Sequence, residues 1–406
     1  MSPAVNRYII IGIVVGIILG SVLGWFLGER MMWAGMIGEL FLNALKMIVV
    51  PLIVTSMITG VISLGDVRRL GVTGAKTLAY YLATTGIAVA IGIVLVNIIQ
   101  PGVGSAASTG LSEIGHPGEY SIFDVILGMI PSNIVAAMSE TRVLPLIIFS
   151  LVFGGIVTTM GERGKPLKDF FVAANEAVMK FVHLVMLLAP FGVFGLIAAR
   201  FAEAGGAGFV TELMKVGKYF ITVVIGLTIH AVIVLPLILK WFGKCNPVKY
   251  VANMAQALLT AFSTASSSAT LPVTMECVEE NNGVSHKSSS FVLPLGATIN
   301  MDGTALYEAV AAIFIAQLYG IDLTIGQQIM IFFTANLAAI GAAGIPQAGL
   351  VTMVMVLQSV GLPVGGIAMI LSIDWFLDRF RTVVNVWGDS VGAAVIAQTK
   401  EIRTET

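Results

Sequence analysis

Ser263-Thr264-Ala265-Ser266-Ser267-Ser268-Ala269-Thr270 is the stretch of this 406-residue chain on which the reading of its fold turns. Six of the eight residues are Ser or Thr, yet they sit at the centre of Val251 to Met275, a run without a single charge. A plain membrane-crossing helix does not place its most polar stretch at its midpoint, and Pro272 follows at once. The pattern reads as a re-entrant hairpin of helix, irregular tip and helix. The competing reading, a polar loop outside the membrane, has to account for flanks that stay apolar for a helix length on either side.

Working outward, Leu323 to Ile373 is 51 uncharged residues, too many for one crossing, and Gly341, Gly344, Pro346 and Gly349 interrupt it near the middle. It reads as a second hairpin. Irregular backbone at membrane depth survives only where protein or a water-filled cavity satisfies its N–H and C=O groups, so two tips imply a shared internal cavity. Discontinuous helices of this kind mark the binding site of a transporter, since freed carbonyls hold cations and helix N-termini hold carboxylates.

Composition agrees with a membrane setting. The chain is 57% apolar and 11% charged, with a mean hydropathy of +0.95, whereas soluble domains carry about a quarter charged residues. Twenty-two Lys and Arg against 23 Asp and Glu give a net charge of -1, which leaves no basic surface for a nucleic-acid partner. Cys245 and Cys277 stand outside any C-x-x-C, and the four histidines form no H-E-x-x-H, so no disulfide framework, zinc site or redox cofactor is expected.

Tyr8 to Gly28 reads as the first span. Its Gly12, Gly16, Gly20, Gly24 and Gly28 recur every fourth residue and open one face to close backbone approach. Further spans are expected near Leu40–Leu64, Thr77–Gln100, Ile122–Met160 (longer than one crossing and therefore segmented), Phe170–Arg200 and Lys218–Phe242. With a cytoplasmic N-terminus, Arg68, Arg69, Lys76, Arg163, Lys165, Lys168, Lys240, Lys244 and Lys249 all fall on the cytoplasmic side. The opposite connection between Pro101 and Asp124 holds Glu113, Glu119 and Asp124 without Lys or Arg, as the positive-inside rule requires.

The polar residues inside spans carry the chemistry. Ser290 to Gly320 is interrupted by Asn300, Met301, Asp302, Gly303 and Thr304, which break the helical ladder and expose oxygens of the kind hard cations such as sodium take. Glu308 adds a carboxylate at a depth where the charged form is costly, a candidate proton carrier or a salt-bridged structural group. In the final span Asp374, Asp378, Arg381, Asn385 and Asp389 fall at about 0°, 40°, -20°, 20° and 60° around a helix, a narrow stripe that must face the interior. Arg379, at about 140°, faces elsewhere. An acidic amino acid needs a carboxylate for its ammonium and a planar fork for its distal carboxylate, which Asp378 and Arg381 supply. A mutual Asp378–Arg381 salt bridge is the bland alternative, and it leaves Asn385, Asp389 and both hairpins unexplained.

At Ser266-Ser267-Ser268-Ala269-Thr270, Asn300-Met301-Asp302-Gly303-Thr304, Ala343-Gly344-Ile345-Pro346 and Asp378-Arg379-Phe380-Arg381-Thr382-Val383-Val384-Asn385 the chain resembles the dicarboxylate/amino-acid:cation symporters, which include the excitatory amino-acid transporters. The resemblance is dense from about residue 250 to 397 and weaker but continuous upstream. It implies an all-α integral membrane protein with eight transmembrane helices plus two re-entrant helical hairpins, the inverted-repeat glutamate-transporter fold. It also implies a homotrimer in the plasma membrane with cytoplasmic termini, whose protomers each work by an elevator movement. A scaffold would take residues 1–76 and 101–205, and a transport domain residues 77–100 and 206–406.

Carried over residue by residue, the resemblance places Ala265 (main chain), Ser267, Thr304, Ile345, Gly349, Asp378, Arg381, Thr382 and Asn385 around the substrate. Sodium sites would use Gly296, Asn300, Asn385 and Asp389; then Thr298, Met301, Ala339, Ile340 and Ala342; then Tyr81, Thr84, Thr85, Asn300 and Asp302. Archaeal members carry Arg where this chain has Ala265 and Gln where it has Glu308, whereas Glu308 together with Arg379 is the animal pattern, linked to proton cotransport and potassium countertransport. The implied function is sodium-coupled symport of L-glutamate or L-aspartate, with no cofactor and no enzymatic activity. A C4-dicarboxylate without an amino group is the runner-up substrate, an ion channel the second class of function, and an intramembrane protease the third, for which no Gly-x-Gly-Asp or Gly-x-Ser-x-Gly setting is present.

Overall fold

A computed structural model describes residues 3–63, 71–104, 127–342 and 348–398, and among these the chain is helical without a strand. The first two helices, α1 (Pro3–Leu27) and α2 (Gly35–Ser63), are joined by a 3-10 turn. They are followed by α3 (Gly71–Ile99), α4 (Ile134–Ser139), α5 (Val143–Thr159), α6 (Lys165–Met186) and α7 (Ala189–Ile229). Among the described residues four stretches, Ile11–Ser63, Val72–Ile99, Met214–Gly243 and His286–Leu318, are long and apolar enough to cross a membrane, and the bent pair Gly161–Met186 and Ala189–Ala202 makes a fifth.

The glycine face of α1 is packed on α7. A Cβ at Gly16 would stand 2.6 Å from the Pro190 carbonyl oxygen and one at Gly20 2.8 Å from that of Phe194. No side chain fits between these backbones, as the four-residue repeat requires.

Two expected spans are corrected. Phe170–Arg200 is not one straight helix: it bends by 49° at Leu187–Leu188, because Pro190 has no N–H to continue the ladder and starts a new helix instead. No loop follows Arg200. α7 runs on to Ile229 and then through π-helical turns, His230–Val234 and Leu239–Gly243, so the expected boundary at 205/206 lies inside a helix. Gly205, Gly206 and Gly208 resemble a loop, yet glycine weakens a helix by only about 1 kcal/mol and removes no hydrogen bond.

Val251–Met275 folds as helix, tip and helix. After a short helix α8 (Pro247–Asn253), α9 (Ala255–Thr264) and α10 (Ser267–Glu276) pack on each other. Ala265 at the tip takes a left-handed φ of 50°, and the Ser266 hydroxyl caps α10 by accepting from Ala269 N–H at 3.1 Å. The interruption expected over Asn300–Thr304 is narrower than that: only Asn300 and Met301 leave the helix between α11 (His286–Ile299) and α12 (Asp302–Leu318), while Gly303 and Thr304 form the first turn of α12.

The second hairpin pairs α13 (Ile325–Gly341) with α14 (Ala348–Ser359), opened by a Thr324–Gln327 capping box. It is shorter than the apolar run suggested. The chain turns at Gly361 (φ +69°), and the final helix α15 (Ile367–Ala397) takes up the rest of that run before reaching Asp374. Ile122–Met160 is segmented, with Thr141 in the left-handed region between α4 and α5, and residues 122–126 lie outside the described residues.

α12 is the axis of the molecule. It is buried along nearly its whole length, with α3, α7, both arms of the second hairpin and α15 packed around it. Asp302, Thr304 and Glu308 on α12 and Asp374, Asp378, Arg381, Asn385 and Asp389 on α15 are therefore buried among neighbouring helices.

Candidate substrate and cation site

All five stripe residues of α15 are buried, so the angular argument from the sequence matches their placement. Arg381 is their centre. Its Nη2 donates to Asp378 Oδ1 at 2.8 Å and lies 3.1 Å from Asp374 Oδ1, and its guanidinium stacks 3.8 Å from the centroid of the Tyr307 ring. Nε and Nη1 make no hydrogen bond among the described residues. Thus the bland pairing of Asp378 with Arg381 exists, and it uses only one edge of the fork.

The second hairpin reaches this group through Gly349, where a Cβ would stand 2.9 Å from Arg381 Nη1 and 3.2 Å from Thr304 Cγ2. Glycine is needed because any side chain would push the guanidinium away. Asn385 ties the same region together, accepting from Gly303 N–H at 2.8 Å and donating to Thr304 Oγ1 at 3.2 Å. Gly349, Thr304, Asp378, Arg381 and Asn385 are therefore brought together.

The remaining expected substrate residues have these placements. The Thr382 hydroxyl donates to the Asp378 carbonyl at 2.8 Å, and Ala265 N–H is already spent on Ala261 O at 2.9 Å. Ser267 is buried in the first turn of α10. Ile345 lies outside the described residues. Arg379 leaves the stripe as expected and donates to the carbonyls of Phe262 and Ser263, at 2.8 and 2.9 Å, at the end of the first hairpin's leading arm.

Parts of two of the expected cation sets lie together, while Asn385 of the first set bonds Gly303 and Thr304 instead. Thr85 donates to Asp302 Oδ1 at 2.7 Å, Thr84 lies 3.3 Å from the same atom and 3.4 Å from Asn300 Oδ1, and Asn300 Nδ2 donates to Asp389 Oδ1 at 3.0 Å. Gly296 backs Asp389 so closely that a Cβ would stand 2.7 Å from its Cγ. Tyr81 gives its hydroxyl to the Val292 carbonyl at 2.6 Å and not to the oxygens of Asp302 or Asn300. The Met301 carbonyl accepts from Ala305 N–H, and Ala339 O accepts from Ala342 N–H. Thr298, Ile340 and Ala342 line a cavity of about 430 Å³ walled also by Ser56, Thr59 and Ser268.

Three partners escaped the sequence reading. His230 Nε2 lies 3.0 Å from Asp302 Oδ2, both fully buried. Thr352, on the second hairpin, donates to Glu308 Oε1, while Glu308 Oε2 makes no hydrogen bond among the described residues. The third is the Tyr307 ring under Arg381. A signal existed for His230: an ionisable residue inside an apolar span implies a partner.

A family model for sodium:dicarboxylate symporters matches residues 9–399. The chain belongs to that family. Among its relatives it is 45% identical to excitatory amino acid transporter 1 of Ambystoma tigrinum over 414 residues, covering 88% of this chain and 76% of the relative. Excitatory amino acid transporter 3 of Homo sapiens is 45% identical over 412 residues, with 88% and 78% covered. A putative sodium-dependent excitatory amino acid transporter, glt-4 of Caenorhabditis elegans, is 42% identical over 410 residues, with 88% and 81% covered. This member of the symporter family is thus a multi-pass membrane transport protein and not an enzyme, and no cofactor is implied.

Proposed function

We propose that the chain carries L-glutamate or L-aspartate across the plasma membrane together with sodium. The observation that carries this reading is the buried Arg381, bonded to Asp378 along one edge and presenting Nε and Nη1 beside Gly349 without hydrogen bonds among the described residues. A substrate's distal carboxylate takes the open edge of the fork, and its ammonium draws Asp378 away from Nη2. A C4-dicarboxylate would set a second carboxylate against Asp378 with no cation between them, which disfavours that substrate.

The negatively charged cavity then needs cations. Asp302 with Thr84, Thr85 and Asn300, and Asp389 with Asn300 and Gly296, supply oxygen-rich places for sodium. Glu308 carries a proton with the substrate, and its ionised form on the return favours potassium. In this proposal eight spans and two re-entrant hairpins form a trimer with cytoplasmic termini. Residues 77–100 and 206–406 move as an elevator against a scaffold of 1–76 and 101–205, the uninterrupted α7 joining the two parts.

Uptake of radiolabelled L-aspartate, L-glutamate and succinate into vesicles, with sodium, proton and potassium gradients imposed singly, tests each part. Accumulation of succinate in preference to both amino acids, or uptake indifferent to sodium, would overturn the reading.

A further inference from the structure

The corner that ends the span Met214–Gly243 plays no part in the proposed transport chemistry. Its last turn, Leu239–Gly243, is π-helical, and Cys245 N–H donates back to Leu239 O. The chain then stops at Lys244 and restarts at Pro247, with Asn246 Oδ1 accepting from Val248 and Lys249 N–H at 3.0 and 3.2 Å. Lys244 holds a left-handed φ of 54°, the place where helices usually end on glycine, although Gly243 stands one residue earlier. A side chain kept in that conformation at an exposed corner is an outlier that points to function.

Lys240, Lys244 and Lys249 are exposed, and none pairs with a carboxylate among the described residues. No Asp or Glu occurs between Glu212 and Glu276. Trp241 and Phe242 remain 65% and 61% exposed beside these lysines, and Val248 77%. The apolar surface continues up the same helix through Val232, Ile233 and Leu237, all exposed. Three ammonium groups, unpaired among the described residues, therefore stand near exposed rings and an exposed apolar helix face.

We propose that this corner binds the phosphate headgroup of an anionic glycerophospholipid. Lys240, Lys244 and Lys249 meet the phosphate, and Trp241 and Phe242 sit at the boundary with the acyl chains. A soluble acidic protein would match the charge but leave the rings and the aliphatic face behind them uncovered. The competing occupant within the chain is its end, which carries Glu401 and Glu405, because Ala394 already lies beside Gly243.

The test is the retention of phosphatidylglycerol over phosphatidylcholine by the full-length protein taken from vesicles of equal parts of the two lipids. Surface lysines each strengthen binding to anionic lipid by roughly fivefold, so the triple variant Lys240→Gln, Lys244→Gln and Lys249→Gln should lose about a hundredfold in preference. The triple Lys→Arg variant should keep it, and Trp241→Ala should weaken retention while leaving its salt dependence intact. Undiminished preference in the Gln variant overturns the proposal. So does displacement of the lipid by soluble glycerophosphate, which would make the site one for a free anion. Truncation after Gln398 should leave retention unchanged, and a large rise on truncation would make the chain's own end the occupant.

Discussion

Replacing Arg381 by Ala removes the guanidinium that faces both Asp374 and Asp378, at 3.1 and 2.8 Å, and with it the open edge of the fork. Two consequences separate. A substrate carboxylate loses two charge-assisted bonds, each worth about 1.5 to 3 kcal/mol, against which stands the disturbance of the Asp378 pair. A net loss of about 3 kcal/mol, or roughly 150-fold in affinity, is expected. The protein itself loses more, since a buried ion pair broken on one side costs about 3 to 5 kcal/mol. For that reason Arg381→Ala is best combined with Asp374→Asn, which removes one of the two stranded charges. The assay is sodium-dependent binding of labelled L-aspartate, with L-serine measured in parallel. Serine, which has no distal carboxylate, should bind at least as well as to the unaltered protein. Aspartate affinity within threefold of the starting value, in a variant that still binds serine, would refute the role given to the guanidinium.

Substrate affinity should be far weaker in choline than in sodium, and Thr85→Ala, which removes the 2.7 Å donor to Asp302, should raise the sodium concentration needed for half-maximal binding about tenfold. Glu308→Gln keeps the shape of the group bonded to Thr352, so exchange of internal for external substrate should persist while the pH dependence of net uptake disappears. An unchanged pH profile would reduce Glu308 to a structural carboxylate. Gly20→Val drives a side chain into the Phe194 carbonyl 2.8 Å away and should lower stability by about 1 to 3 kcal/mol, read as thermal unfolding in detergent. At the foot of the first hairpin, Glu279 is held below the ordinary carboxylate range first by the hydrogen bond from Ser289 and then by His286. Its contribution is therefore complete above the ordinary glutamate value of about 4.3 and is lost as pH falls through the depressed one; Ser289→Ala should narrow that acid-side loss in melting curves taken against pH.

The elements readable from the sequence were those where polarity and periodicity conflict. Ser263–Thr270 placed six hydroxyl residues at the midpoint of an apolar run, and the chain does fold back there at Ala265. The α15 stripe was readable because charge inside a span has one place to go. What polarity does not mark was misread. α7 continues through Gly205, Gly206 and Gly208 because nothing there removes a hydrogen bond, and α15 begins seven residues before Asp374 because its first two turns are apolar like the hairpin before them. Partnerships were the least accessible: His230 meets Asp302 across 72 residues of chain, and only packing could reveal that pair.

The contact between α1 and α7 also bears on how the protein is made. α1 leaves the ribosome about 180 residues ahead of the Pro190 segment that fills its glycine face, a delay of roughly 10 to 35 seconds at ordinary synthesis rates. Throughout that interval the groove at Gly12, Gly16, Gly20 and Gly24 has only lipid, or another nascent helix, against it. A groove that needs no side-chain rearrangement to accept a helix accepts it late as readily as early, so α1 can wait in the bilayer fully formed and close on α7 in one docking step.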